Sequence, residues 1–386
     1  MRVHIAEAVY GDAEIDAVVR VLREQPLALV AGPQCARFEA RACDILGVGH
    51  STLVSSGSSA LLLALAALQL PPGSEVVTPA LTFGTTVAPL VQLGLVPVFV
   101  DVAPGRLVVD PGSVEAAVGP ATRAVLVPDL VGDVPDWAAL RTLCDSRGLA
   151  LVDDAADTWA PLWDGRSTAS WADVGITSFY ASHMLTLAGT GGLVATDDPT
   201  LARRIRQLRG WGRRSAADGE PDTLDARETT LDGVPYDTKY AFDLPGYNML
   251  PSEAGAAFGL VQLDRMDDVR TARARHHARL AEVLRSRGLA VPTLPDRATS
   301  TWHALAFRTP HRDALAAHLE AHGIQTRPVL AGNLVRHPMV ARAPHRVVGT
   351  LTEADGWMRE GLMIGCHQGL DEAQLDHLER TIREGT

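Results

Sequence analysis

The stretch Ala121–Ala160, ATRAVLVPDLVGDVPDWAALRTLCDSRGLALVDDAADTWA, decides the fold. It reads as an apolar strand (AVLVPDL), an amphipathic helix opened by Pro and Asp (PDWAALRTLCDSRG) and a second apolar strand (LALVDDAAD). Strands this continuously apolar are those covered on both faces of a sheet. Upstream, GSEVVTPALTFGTTVAPLVQLGLVPVFVDV (Gly73–Val102) gives strand, loop, helix and strand. Before it, STLVSSGSSALLLALAALQL (Ser51–Leu70) gives strand, Gly/Ser turn and a strongly apolar helix. Successive strand–helix units predict an α/β fold, a mostly parallel sheet with helices on both faces. Such sheets bind ligands beyond the carboxyl ends of their strands.

The flanking segments complete the expectation. Asp12–Glu24 and Cys35–Leu46 have helical periodicity. Ser178–Gly192, SFYASHMLTLAGTGG, joins two apolar runs and reads as strand, short loop, strand. Pro199–Arg214 opens as a helix, and Ser215–Gly233 lacks periodicity and is expected to be a mobile loop or flap. A long helix is expected from Pro251 onward. A composition shift near Asp267 divides the chain into a large domain, 1–266, and a small α+β domain, 267–386.

The chain has 386 residues, 46% of them hydrophobic, enough for a large core. A net charge of −11 offers no basic field for nucleic acid. No apolar run reaches membrane-span length and MRVHIAEAVYGD has no signal-like apolar core, so a soluble, cytoplasmic protein is expected. Cys35, Cys43, Cys144 and Cys366 have no metal-ligand spacing and are expected to be free thiols.

Several residues stand where chemistry can occur, and each also has a structural reading. Ser55–Ser59 form a Gly/Ser turn before a helix, a phosphate cradle or an ordinary serine N-cap. Phe83, in a loop after a strand, covers a flat ligand or packs in the core. Asp153, Asp154 and Asp157 emerge at a strand end, where an acid needs a partner or serves as a cap. His183 is a working imidazole or a buried, satisfied one.

Six segments occur in order along nearly the whole chain: SSGSSALLLAL, VVTPALTF, LVDDAAD, ITSFYASHMLTLAGTGG, PGYNMLPSEAGAAFGLVQL and MIGCHQGLDEAQLDHL. Together they resemble the DegT/DnrJ/EryC1/StrS family of nucleotide-sugar aminotransferases. The resemblance implies the aspartate-aminotransferase-like fold (fold type I) and pyridoxal 5'-phosphate (PLP) as cofactor. It implies that Gly57, Ser58, Ser59 and Ser178 cradle the cofactor phosphate, that Phe83 stacks on the ring and that Asp154 pairs with the ring nitrogen. Asp157 falls where the family usually has Gln near the ring face. Asn248 resembles the residue sent to the neighbouring subunit's phosphate, which implies a homodimer.

One departure redirects the expected activity. Most of the family has a lysine, the Schiff-base residue, where this chain has His183. Imidazole cannot form that link, so the cofactor is expected to be held non-covalently, as PLP or as pyridoxamine 5'-phosphate (PMP). His at this position is similar to the family's sugar 3-dehydratases, of the GDP-4-keto-6-deoxymannose and CDP-4-keto-6-deoxyglucose types. TRPVLAGNLVRHP and HRVVGTLTEAD resemble the same enzymes, and Arg327, Asn333 and Arg336 there are candidates for substrate contacts or for structural ion pairs. The CDP-sugar type has iron–sulfur cysteines after its RxWGRD segment. This chain reads RGWGRRSAADGEPD, so no cluster is expected. The turn Gly189–Thr190–Gly191–Gly192 lacks the acidic residue of those dehydratases, and their PAHH is ASHM here, so nucleotide and sugar stay open.

The resulting expectation is a PMP-dependent 3-dehydration of a nucleotide-linked 4-keto sugar, with His183 as acid and base and an amino donor such as glutamate, the donor itself staying open. The alternatives are a sugar or cyclitol aminotransferase-like reaction with exchangeable cofactor, or a non-catalytic binding or regulatory descendant.

Overall fold

A computed structural model describes residues 1–24, 29–218 and 228–385. Its centre is an eight-stranded sheet. The strands are β1 (His50–Val54), β2 (Glu75–Pro79), β3 (Val96–Val100), β4 (Thr122–Pro128), β5 (Ala150–Ala155), β6 (Val174–Ser178), β7 (Gly192–Thr196) and β8 (Arg346–Val347). Their order is β1-β7-β6-β5-β4-β2-β3-β8. Pairing is parallel from β6 through to β8, and β7 runs antiparallel to both β6 and β1.

Local chemistry explains the elements. Helix Trp137–Arg147 starts on Asp136, whose side chain accepts from the Ala139 N–H, and stops at Gly148 in the left-handed region. Helix Gly57–Ala67 is apolar on nearly all sides because it is buried on the sheet near β6 and β7. β4 and β5 are buried along almost their whole length, as their continuous apolar runs predict.

The long helix expected from Pro251 is two helices, Glu253–Asp264 and Met266–Ser286, because Arg265 departs from helical backbone angles (φ −106°, ψ 5°). The break adjoins the expected division at residue 267. Among the described residues, four pairings cross that division: Val3 with Ile324, Leu81 with Asn333, Leu162–Trp163 with Ala298–Thr299, and β8 with β3. The C-terminal part has its own three-stranded sheet, Leu305–Arg308, Gly361–Ile364 and Thr326–Arg327, packed with helix Met266–Ser286.

The expected flap lies partly outside the described residues, at 219–227. The described remainder is ordered secondary structure: a short 3₁₀ turn at Ser215–Asp218, and a hairpin, Glu228–Leu231 with Val234–Asp237. Its turn is Asp232–Gly233, both at positive φ, the two-residue hairpin signal that periodicity alone overlooks. Cys35, Cys43, Cys144 and Cys366 are free thiols. No described helix is long and apolar enough to cross a membrane.

Under the sheet's carboxyl edge, Asp129 and Asp153 are fully buried together. Asp129 accepts from Trp137 Nε1 (3.1 Å) and Asp153 from Thr168 Oγ1 (2.8 Å). The second oxygen of each has no hydrogen-bond partner among the described residues. Burial raises both acids, Asp153 to about 8, and the charge of Asp153 raises Asp129 further. The folded state therefore binds a proton that the unfolded chain releases near pH 3.9. Stability from this pair is complete at acid pH and is lost as pH rises through about 8. Thermal midpoints of the cofactor-free protein should fall between pH 6 and 9, and Asp129→Asn should flatten that fall. Parallel pH curves for parent and variant would show that the pair is not what titrates.

Candidate functional site

A cleft of about 470 Å³ opens beyond the carboxyl ends of the parallel strands, where the topology places it. The Ser178–Gly192 loop forms one wall. β6 ends at Ser178 and β7 begins at Gly192, paired directly in the antiparallel register. Between them the loop is anchored from below, with Phe179, Met184, Leu185 and Leu187 buried. Thr186 closes it, donating to the Phe179 carbonyl (2.9 Å) and accepting from the Gly189 N–H (3.0 Å). His183 is thus carried on a fixed loop.

The opposite wall is the Gly/Ser turn. Ser56 caps helix Gly57–Ala67 by accepting from the Ser59 N–H at 3.1 Å. Ser59 Oγ lies 3.0 Å from Ser55 Oγ and 2.9 Å from Ser56 Oγ, so Ser59 supports the turn, while Gly57 and Ser58 line the cleft. The turn and the loop meet closely. A Cβ on Gly192 would lie 2.2 Å from the Ser56 carbonyl oxygen, and one on Gly57 would lie 2.5 Å from Ser178 Cβ. Only glycine permits that approach, which brings the Ser178 hydroxyl to a helix N-terminus.

The floor is acidic. Asp154 is buried and accepts from Thr86 Oγ1 at 2.8 Å, and Thr86 in turn accepts from Thr82 at 2.9 Å. Burial pushes Asp154 up to about 6, against the Thr86 hydrogen bond. A cation meeting this carboxyl would supply the charge that its surroundings lack. Asp157 accepts from the Val131 N–H (2.9 Å), and burial raises it while the nearby His183 lowers it. Phe83 lines the mouth with its ring 52% exposed, open to stacking.

His183 is half-buried and its Nδ1 lies 3.0 Å from the Ser178 carbonyl oxygen. A carbonyl only accepts, so Nδ1 carries the hydrogen and Nε2 has the free lone pair. Burial lowers the His183 pKa, Asp157 and the Ser178 carbonyl oppose that shift, and Arg273 reinforces it. At neutral pH this ring is a base with an open nitrogen.

Of the residues singled out from the sequence, Gly57, Ser58, Phe83, Asp154, Asp157, Ser178 and His183 share this cleft. Asn248 is exposed, bridged to Gly210, and does not line it in the single chain. Asn333 and Arg336 both bind Asp355, at 2.7 Å and 2.6 Å, the ion-pair reading of these residues. Arg327 is exposed and donates to the carbonyl of Thr326. Their segment reaches the cleft through Leu330 instead. Thr86, Tyr180 and His303 line the cleft without having been singled out. His303 lies in TWHALAFR, where one histidine before a strand carries no pattern to distinguish it.

A planar ring bearing a phosphate and a basic nitrogen fits these residues: the helix N-terminus and Ser178 for the phosphate, Phe83 for a face and Asp154 for the nitrogen. The DegT/DnrJ/EryC1/StrS aminotransferase family profile matches residues 9–383, and the chain belongs to that family. A dTDP-4-dehydro-2,6-dideoxy-D-glucose 3-dehydratase of Saccharopolyspora spinosa is 34% identical over 389 aligned positions, covering 96% of this chain and 84% of the relative. A dTDP-3-amino-3,4,6-trideoxy-alpha-D-glucose transaminase of Streptomyces venezuelae is 31% identical over 96% of this chain and 92% of its own length. Among solved structures, the E. coli GDP-4-keto-6-deoxy-D-mannose-3-dehydratase with bound hydrated PLP superposes with a TM-score of 0.89 at 24% identity, covering 99% of each chain. The fold is therefore that of the aminotransferase-like PLP enzymes, in a family with both dehydratase and transaminase members.

Gly57→Ala should displace Ser178 at the cost of an overpacked contact, about 1–3 kcal/mol. If all of that cost falls on the bound state, PLP affinity drops about tenfold or more. A fluorescence titration with an unchanged dissociation constant would remove the turn from the phosphate site.

Proposed function

We propose that this chain is a PLP/PMP-dependent enzyme that removes the 3-hydroxyl of a nucleotide-linked 4-keto sugar, with His183 moving the protons and the cofactor held without a covalent link. One observation carries the reading. The sequence contains a single lysine, Lys239, in the turn Thr238–Tyr240, and it is not among the residues lining the cleft. The cleft of this chain offers an imidazole where most of the family offers an amine.

When bound, the pyridoxamine form supplies an amine for the sugar carbonyl and a ring that stores an electron pair. Gly57, Ser58 and Ser178 would hold its phosphate, and Asp154 would keep the ring nitrogen charged. Nε2 of His183, the nitrogen left free by the Ser178 carbonyl, would serve as the base that accepts a proton in the cleft and as the acid that gives one to the departing hydroxyl. Such positioned acid–base work contributes roughly 10²–10⁴-fold to a rate. Net, the sugar loses one oxygen, and an amino donor such as glutamate is oxidised and yields its nitrogen as ammonia. A lysine at residue 183 would favour returning the proton to the sugar carbon, which is transamination. With no cysteine in RGWGRRSAADGEPD, the proposed chemistry uses no iron–sulfur cluster.

The exposed Asn248 fits a homodimer in which it completes the neighbouring subunit's phosphate site. Tyr240 and Phe242, 58% and 57% exposed, lie on the same stretch of chain and would be covered there. The second reading, transamination with exchangeable cofactor, is favoured by the 31% identical transaminase.

Incubation with PMP, glutamate and a set of 4-keto-6-deoxy nucleotide sugars separates the two. A product lighter by one oxygen, with ammonia released, is expected. A product in which the carbonyl oxygen is replaced by an amino group would establish the second reading. His183→Asn should lose about 10²-fold or more of the turnover, with PLP binding intact by absorbance. Full turnover in that variant would exclude His183 as the proton carrier.

A further inference from the structure

Beside His183 the cleft holds a second imidazole that no assignment above uses. The rings of His183 and His303 meet edge-on, with centroids 5.1 Å apart at an interplanar angle of 84°. One ligand atom from each ring and one carboxylate oxygen of Asp157 all lie within 4.8 Å of one another. Val131 ties this group together. Its N–H donates to Asp157 Oδ2 (2.9 Å) and its carbonyl accepts from the backbone N–H of His303 (2.8 Å). Val131 does so at φ +60°, a left-handed conformation that a β-branched residue adopts only under strain. Strain of this kind persists where the surroundings over-determine it, and it concentrates at functional sites.

Behind His303 stands Arg273, fully buried. It donates to the carbonyls of Trp302 (3.2 Å) and His303 (2.9 Å) and to Gln368 (2.7 Å), and its Nη2 has no hydrogen-bond partner among the described residues. His303 Nδ1 is also buried without one.

We propose that Asp157 and His303 are positioning residues that act through His183, the three groups sharing a single exchangeable proton that His183 carries. Asp157 attracts the proton to His183. His303, crowded by Arg273 and by a charged His183, refuses a second one and stays a neutral ring that holds the plane of His183. The shifts run the same way: burial, His183 and Arg273 press His303 well below an ordinary imidazole, whereas Asp157 acts on His183 in the opposite sense. Tyr180, 6.1 Å from His183 between ring centroids, and Asp154, which feels the charge of Asp157, are the other titratable groups facing the cluster. The arrangement would let one ring alternate between base and acid without a competing proton next to it.

This inference rests on the reading of His183 as the proton carrier, but its test needs no substrate. The protein, PLP-loaded and as isolated, is labelled with ¹⁵N-histidine and the two rings are followed by NMR from pH 5 to 9. In the parent, His183 is expected to titrate with Nδ1 protonated throughout, while His303 stays neutral. Asp157→Asn should lower the His183 midpoint by about one pH unit or more, the effect of losing an opposite charge at this range. His183→Asn should raise the His303 midpoint, and it reads the coupling even if the Asp157 variant does not fold. Two rings titrating independently, or a His183 midpoint unmoved in Asp157→Asn, would overturn the proposal. Either result would leave the proposed deoxygenation to be judged by its own products.

Discussion

The hydrogen bond from His183 Nδ1 to the Ser178 carbonyl, 3.0 Å long, determines what the cleft can do. It fixes the tautomer, since a carbonyl has no proton to give, and leaves Nε2 free. The bond joins a residue at the last position of β6 to one five residues later. It exists because the loop between β6 and β7 doubles back through Thr186 and rests on Phe179, Met184 and Leu185. A looser loop would let the ring turn and exchange its nitrogens.

The same loop shapes the side of the cleft proposed to take the phosphate. Gly192 lets the start of β7 press against the Ser56–Gly57 turn, and this contact brings Ser178 to the helix N-terminus. The imidazole and the proposed anion cradle are therefore joined through one closely packed contact. The acids complete it from β5: Asp154 buried at the strand end, Asp157 one turn later on the Val131 N–H. Charges at this depth are costly unless paired; a protonated ring nitrogen, as proposed, would be a partner of the required sign for Asp154, and a protonated His183 would be one for Asp157.

Much of this was legible in the sequence. Apolar runs separated by helical periods identify the parallel core, and the order of motifs identifies the family, because both are written in consecutive residues. Three things were not. The Glu253–Ser286 region is two helices because Arg265 takes a non-helical conformation that composition does not announce. Asn333 and Arg336 both bind Asp355, a contact made across a turn of the fold that the sequence does not announce. His303 meets His183 only through tertiary packing, and a lone histidine before a short strand gives no notice of it. The Asp232–Gly233 hairpin, by contrast, was readable from its turn chemistry, and the lack of periodicity around it obscured that signal.

The central claim is that the cofactor works untethered, because the chain places an imidazole at the site and keeps its one lysine elsewhere. Borohydride reduction of the PLP-loaded wild-type protein, followed by peptide mass spectrometry, tests this most directly. The expected result is stoichiometric PLP bound before reduction and no pyridoxyl group on any peptide after it. A pyridoxyl adduct on Lys239 would contradict the claim.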